Sequence, residues 1–166
     1  MDLHKTLPIQ SGMRGCVVKM KGGINIQYYL NSDDWAWRAG IGVKITASGS
    51  NYAITDDVFA TDTYLNKSIW IDKSYTGTIT AKNTSTKTAT FTLSSSVKTD
   101  DYYTMYLPSN LTGYDGEVMV EVPEFWIKSW DTDNRREVRV SDTKVDDTWQ
   151  HQAKILISPY HVSVLR

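Results

Sequence analysis

The sequence predicts an all-β protein made of short antiparallel strands. Residues that favour strands are abundant, with 19 Thr, ten Tyr and six Trp among 166 residues. The acidic residues are mostly Asp, 15 against four Glu, and Asp favours turns. At several places apolar and polar residues alternate, which is the two-residue period of a half-buried strand. We therefore expect a small antiparallel β-sheet or sandwich domain.

The N-terminal segment, residues 1–15, has no period of either kind and contains Pro8, Gly12 and Gly15. We expect an extended arm. It could be a frayed end, an arm packed on its own domain, or a docking arm that lies along another protein. The docking hypothesis depends on scattered apolar and basic side chains that could anchor the arm. These are Leu3, Lys5, Leu7, Ile9, Met13 and Arg14.

Two predicted strands follow the arm, Cys16–Met20 and Ile24–Leu30, and glycines between them favour a hairpin turn. Residues 41–107 differ in composition from the rest of the chain. They are rich in Thr and have no net charge, with six basic and six acidic side chains. The predicted strands of this stretch are Ile41–Thr46, Ile69–Ile71, Thr76–Thr80, Thr86–Leu93 and Tyr102–Tyr106. These features indicate that 41–107 is a self-contained stretch.

The third stretch, 108–166, begins with two turn signals, which are followed by an alternation of residues between two faces of a predicted strand. In Glu117–Val122 the valines are expected to point inward and the other residues outward. The inward set is Val118, Val120 and Val122, and the outward set is Glu117, Met119 and Glu121. Pro123 ends this strand, because proline cannot donate to a ladder. The remaining predicted strands are Phe125–Trp130, Arg136–Ser141 and Ile155–Ser158, with a turn at 131–134.

Composition and charge argue against several partners. The formal net charge is −1, so no basic surface for nucleic acid is expected. No run of 18 apolar residues occurs, and the first residues are not an apolar leader, so neither a membrane partner nor secretion is expected. A single cysteine, Cys16, cannot form an internal disulfide and is expected to be a small buried side chain.

The sequence has few groups of residues with the spacing of a catalytic or cofactor-binding site, and we expect no enzyme activity and no cofactor. Nucleophile-elbow and phosphate-binding glycine motifs are absent. Glu117 and Glu121 share a strand face, but four strand residues span roughly 13 Å, beyond the roughly 5–9.5 Å of a glycosidase pair. His4, His151 and His161 are too few for a metal site without carboxylate help. A cation that bridges two Asp-Asp doublets stays open as an alternative to ordinary turns.

Adjacent aromatic pairs are the most informative feature. In a strand, neighbouring residues point to opposite faces of the sheet, so each pair places a ring on both faces. The second ring must pack within the chain, against an identical subunit or against a sugar. The candidate subunit-interface residues are Tyr28, Tyr29, Phe125 and Trp126.

Trp35 and Trp37 are the candidate sugar-stacking residues. Spaced by two, they would share a face if their segment is extended. The alternative is that they cap the core.

A segment in the third stretch resembles a recurring block of fibre-type virion proteins from tailed phages of gut Bacteroidales, including crAss-like phages. That block reads approximately L-x-G-x-D-G-x-V-M-V-x-I-P-x-[FY]-[WY], and Leu111–Trp126 departs from it only by Val122 in place of isoleucine. Gly15–Val18 and Tyr28–Trp35 are similar to the opening of the family, and Ile155–Arg166 to its I-S-x-Y-x-x-S-x-x-R block. The resemblance covers roughly 1–40 and 108–166.

The resemblance implies a structural protein of the virion, assembled in the host cytoplasm. It would be the N-terminal, virion-anchoring part of a homotrimeric head or tail fibre that docks on capsid or tail proteins and supports host attachment. Residues 41–107 stand where the family has a short connection, which implies an inserted β-sandwich-like subdomain. The domains would then be the arm 1–15, a discontinuous domain 16–40 plus 108–166, and the insertion 41–107.

Relatives continue past the last block into a lectin-like domain, so receptor-binding residues cannot be carried over. A host surface glycan is a further expected partner. The alternative function is a carbohydrate-binding β-module without catalysis.

Overall fold

The computed structural model describes residues 8–61 and 64–159, and it confirms the all-β antiparallel class. The elements are α1 (Pro8–Ser11), β1 (Arg14–Lys19), β2 (Asn25–Tyr29), β3 (Ile41–Ser48), β4 (Asn51–Thr55), a 3₁₀ helix (Asp57–Ala60), β5 (Ser68–Ile71), β6 (Tyr75–Asn83), β7 (Thr88–Leu93), β8 (Asp101–Tyr106), β9 (Glu117–Val122), β10 (Phe125–Thr132), β11 (Arg135–Ser141), β12 (Gln150–Gln152) and β13 (Ile155–Ile157). None of the helices in the described part of the chain is long and apolar enough to span a bilayer.

The chain forms two compact units. The first combines the residues up to Tyr29 with those from Leu111 onward, and the second is Leu30–Asn110. The second unit is therefore inserted between two parts of the first.

The second unit is a closed barrel of six antiparallel strands in the order β3-β4-β7-β6-β5-β8. Closure leaves no unpaired sheet edge, and the interior is filled by apolar side chains. The largest fully buried ones are Phe59, Phe91, Ile45, Ile54, Ile69, Ile71, Ile79, Met105 and Leu107. On β7 the expected period of two is present, with Ala89 and Phe91 buried between more exposed threonines.

The ends of the second unit lie side by side. The Arg38 amide donates to the Leu107 carbonyl at 2.8 Å, and the Ser109 amide donates to the Ala36 carbonyl at 2.9 Å. Trp37 and Pro108 form an isolated bridge. Because of these bonds, residues 30–40 belong with the barrel, which therefore begins earlier than the predicted boundary at 41.

The first unit contains two antiparallel sheets. A four-stranded sheet has the order β13-β9-β1-β2, and a three-stranded sheet has the order β11-β10-β12. β9 belongs to the four-stranded sheet and β10, which follows it directly in the chain, belongs to the three-stranded sheet. Pro123 ends β9, as predicted. The partners of these two strands, β13 and β12, are interrupted at the matching place, since Val122 pairs with Ile155 and Phe125 pairs with Gln152.

The four-stranded sheet buries both faces of β9. The expectation that Met119 and Glu121 point outward to solvent is wrong, because their side chains lie on the same face as Cys16 and are 8% and 4% exposed. Alternation marks the two faces of a strand correctly, but it cannot tell whether the second face is also covered.

The predicted arm ends earlier than expected. Pro8–Ser11 is one helical turn, and β1 already begins at Arg14, which pairs with Glu121. A side chain added at Gly12 would lie 2.9 Å from the Pro123 Cγ, so this turn passes close to the end of β9. Leu3, Lys5 and Leu7 lie outside the described residues.

Candidate assembly interface

The three-stranded sheet has one apolar face. Its register places Ile127 opposite Val140, Ser129 opposite Val138, and Phe125 opposite Gln152. Residues that pair directly share a face, so these side chains form one continuous surface. We call it the apolar face, defined by Phe125, Ile127, Val138 and Val140, with Ser129, Gln150 and Gln152 among them.

None of the residues in this three-stranded sheet is fully buried. Val138 and Val140 are 55% and 53% exposed, and Phe125 and Ile127 are half-buried. A small sheet gains its stability by packing one face against another layer. Here the apolar face is left partly open to solvent, most of all at Val138 and Val140.

The apolar face is also electrically neutral. Its charged residues are Asp131 and Arg136, which pair directly near the hairpin end, and the Arg136 guanidinium donates to the Ser129 hydroxyl at 3.1 Å. The residues closer to the base are apolar or uncharged. Two copies of this face could therefore meet without repulsion between like charges.

The opposite face of the same sheet is covered by its own loop, 142–149. The rings of Trp126 and His151 lie 5.0 Å apart, and the Lys144 Nζ lies 5.8 Å from the centre of the Trp126 ring. The two predicted interface residues on β10 thus differ in role: Phe125 lies on the apolar face, and Trp126 is partly covered within the chain.

The other two predicted interface residues are also engaged within the chain. The Tyr28 hydroxyl donates to the Asp115 carboxylate at 3.1 Å. The Tyr29 hydroxyl donates to the Glu121 carboxylate at 3.0 Å, and the Arg14 guanidinium lies 3.9 Å from the Tyr29 ring centre. Both tyrosines are half-buried; Tyr29 joins β2 to β9, and Tyr28 joins β2 to the loop before β9.

Glu121 is the centre of a charged cluster that the sequence pattern does not indicate. Its carboxylate forms ion pairs with Arg14 and Lys154, each at 3.1 Å, and accepts the hydrogen bond from the Tyr29 hydroxyl. Burial acts to raise the pKa of Glu121, but the hydrogen bonds from Lys154, Arg14 and Tyr29 outweigh it, so the pKa is lowered. Burial and the same carboxylate raise the pKa of the Tyr29 hydroxyl. The cluster joins β1, β2 and β9 to the link between β12 and β13.

The predicted sugar platform does not form as expected. Trp35 lies in a turn, in which the Trp37 amide donates to the Asp34 carbonyl at 3.1 Å, and the segment is not extended. Trp37 packs on Trp70, with ring centres 5.1 Å apart. The condition under which Trp35 and Trp37 would share a strand face, an extended segment, is therefore not met.

The three described residues of the predicted docking set are in different situations. Ile9 is half-buried in α1, and Met13 is 38% exposed. Arg14 is a strand residue committed to Glu121 and Tyr29, so it is not a free anchor for another protein.

Within residues 8–61 and 64–159, no group of three or more His, Cys, Asp and Glu side chains is arranged to hold a metal ion. His151 and Glu124 approach each other at 3.4 Å on the surface. Cys16 is buried, and its burial, followed by the nearby Glu121 charge, raises the pKa of the thiol.

Comparison with known proteins gives no relative: no protein-family model, curated protein or solved structure matches this chain.

Proposed function

We propose that this protein is a non-catalytic structural subunit of a phage virion, the anchoring part of a trimeric head or tail fibre that supports host attachment. Identical copies associate through the apolar face of the three-stranded sheet, and the N-terminal arm docks on capsid or tail proteins. The observation that carries the proposal is the apolar face itself, exposed on a sheet without a single buried residue.

Several features support a second copy of the chain as the occupant of this face. The face is neutral, so copies do not repel one another, and Val138 and Val140 are each about half exposed. Burying the exposed half of such a valine contributes roughly 1 kcal/mol. Three copies around an axis would bury all three faces together, whereas a charged or polar partner would gain little from them. The motif resemblance of 111–126 supports a fibre as the assembly.

Substitution of Val138 by Lys tests this interface. We expect the unmodified protein to be a trimer at micromolar concentration, measured by light scattering after size exclusion. Val138→Lys should give a monomer, because three like charges would meet in an apolar interface. A monomeric unmodified protein, or a Val138→Lys protein that is still trimeric, would overturn the proposal.

Val145→Lys is the matched control. Val145 is 62% exposed in the loop that covers the opposite face, so the same chemical change is made away from the interface. This variant should remain a trimer. Loss of trimers in both variants would point to a general effect of added charge and would contradict the assignment of the face.

A further inference from the structure

A cleft of about 400 Å³ opens on the face of the three-stranded sheet opposite the apolar face. The residues that line it are Lys128, Trp130, Arg139, Val145, Asp146 and Trp149. Two of these are indole rings, one on β10 and one at the end of the loop 142–149. Rings of this kind stack on the apolar faces of sugars as well as on bases.

The cleft carries more positive than negative charge. Lys128 and Arg139 are directly opposite each other in the ladder, a position where like charges disfavour the fold unless an anion is present. The Lys128 Nζ is 3.8 Å from Asp146, but no carboxylate in the described chain pairs with Arg139. The Arg139 guanidinium instead lies over the Trp130 ring, 5.0 Å from its centre. It is held in place with its donors available.

The loop that closes the cleft is fixed by Asp146. One oxygen of this carboxylate accepts the Thr148 amide at 2.8 Å and also the Thr148 hydroxyl, and the Trp149 amide donates to the Asp146 carbonyl at 3.2 Å. The other oxygen faces Lys128 at a distance longer than a direct hydrogen bond. The carboxylate also has a hydrogen bond with the Trp149 side chain, which orients that indole ring, and its remaining acceptor capacity is open to a hydroxyl group of a ligand.

Rings, an available guanidinium and a carboxylate acceptor together fit one class of ligand. Sugar hydroxyls need acceptors such as Asp146, and a ring carboxylate needs a forked donor such as Arg139. Single-stranded nucleic acid also uses rings and cations, but it needs a positively charged groove that follows several phosphates, whereas the whole chain carries a net charge of −1 and this cleft has two cations beside one carboxylate. We propose that this cleft binds an acidic saccharide, with a uronate carboxylate on Arg139 and a sugar ring stacked on Trp130 and Trp149.

The test is calorimetric titration of the full chain with a hexamer of galacturonate. The comparison ligand is the same hexamer with its carboxylates methyl-esterified, which changes only the charge. We expect binding of the acid form, and at least about tenfold weaker binding of the ester, the effect of losing a charged hydrogen-bonded pair. Equal binding of the two, or no binding of the acid form, would overturn the proposal.

Substitutions assign the binding to the cleft. Arg139→Gln and Trp149→Ala should each weaken binding at least about tenfold. Arg136→Gln is the matched control, because Arg136 lies on the same strand with its side chain on the other face. It should bind as the unmodified protein does. Equal loss in Arg136→Gln and Arg139→Gln would show general attraction of a polyanion and contradict the site.

A second variant of Trp149 and a titration with an oligonucleotide complete the test. Trp149→Phe keeps a ring if Trp149→Ala fails to fold, and it should bind more weakly than the unmodified protein but better than Arg139→Gln. A thymidine oligonucleotide is titrated in parallel. Tighter binding of the oligonucleotide, lost in Arg139→Gln, would replace the saccharide with a nucleic acid ligand.

Discussion

At the scale of single residues, Glu121 connects β9 with β1, β2 and Lys154 in the first unit. It is a buried carboxylate with two cationic partners, each of which is about half exposed, at 56% of the side chain. The anion is therefore withdrawn from water while the cations keep part of their hydration. Such an arrangement stabilises the fold only while the carboxylate is ionised.

Substitution of Glu121 by Gln should lower the free energy of unfolding by about 1–3 kcal/mol at neutral pH, the usual range for hydrogen bonds to a charged group. The estimate stays at the level of hydrogen bonds because Arg14 and Lys154 can turn to solvent. Urea unfolding at pH 7 measures the change. Glu117→Gln, an exposed residue of the same strand and face, should have no measurable effect.

The lowered pKa of Glu121 also predicts a dependence on pH. A carboxyl with a lower pKa in the folded state contributes stability above its unfolded pKa, about 4.3, and this contribution is lost as the pH falls through the folded pKa. Unfolding free energies measured between pH 7 and pH 2 should therefore drop in the acid range. The drop should be smaller in Glu121→Gln, and an identical acid profile in both proteins would contradict the role of this carboxylate.

At the scale of elements, the N-terminal segment divides at Arg14. The strand β1 is part of the four-stranded sheet, so a deletion that removes Arg14 also removes a ladder residue and an ion pair. The docking hypothesis is better tested by deleting residues 2–12. We expect the shortened protein to fold and form trimers but to be lost from virus particles, as measured by its copy number in purified virions. Incorporation at the normal copy number would mean that the anchor is elsewhere.

The strands that can be predicted from the sequence are those with an alternation of apolar and polar residues or with a short apolar run. The sequence does not predict β12 because Gln150–Gln152 has no apolar residue, and this strand forms through backbone pairing with β10 and a ring contact between His151 and Trp126. β4 was missed because its buried residues Ala53 and Ile54 are adjacent, which breaks the alternation. In both cases the strand depends on neighbours that are distant in sequence.

The same limit applies to the sites. Phe125 could be identified from its ring pair, but the surface around it needs Val138 and Val140, which the register of β11 supplies. The cleft needs Trp149 brought over β10 by a turn at Asp146. The Glu121 cluster joins residues up to 107 positions apart. Spacing along the chain carries no signal for contacts of that kind.

At the scale of the whole molecule, the barrel is expected to be an independent folding unit. Its ladder is closed, it has its own core, and its ends are bonded to each other. A fragment of residues 30–110 should unfold cooperatively with a free energy of roughly 4–12 kcal/mol, the range for a domain of this size. Circular dichroism during urea unfolding is the measurement. A fragment without a cooperative transition would show that the barrel needs the first unit.

The pairing of β1 with β9 decides how the molecule carries a mechanical load. Arg14 is the first residue of β1 and lies opposite Glu121 near the last of β9, so a pull between the N-terminus and the β10–β11 hairpin peels this ladder from that end. The ion pairs of Glu121 strengthen the first pair of the ladder, Arg14 with Glu121. Along the chain the barrel lies between β2 and β9, beyond the last pair of this ladder, Val18 with Glu117. It therefore bears no tension until every pair from Arg14–Glu121 to Val18–Glu117 has separated.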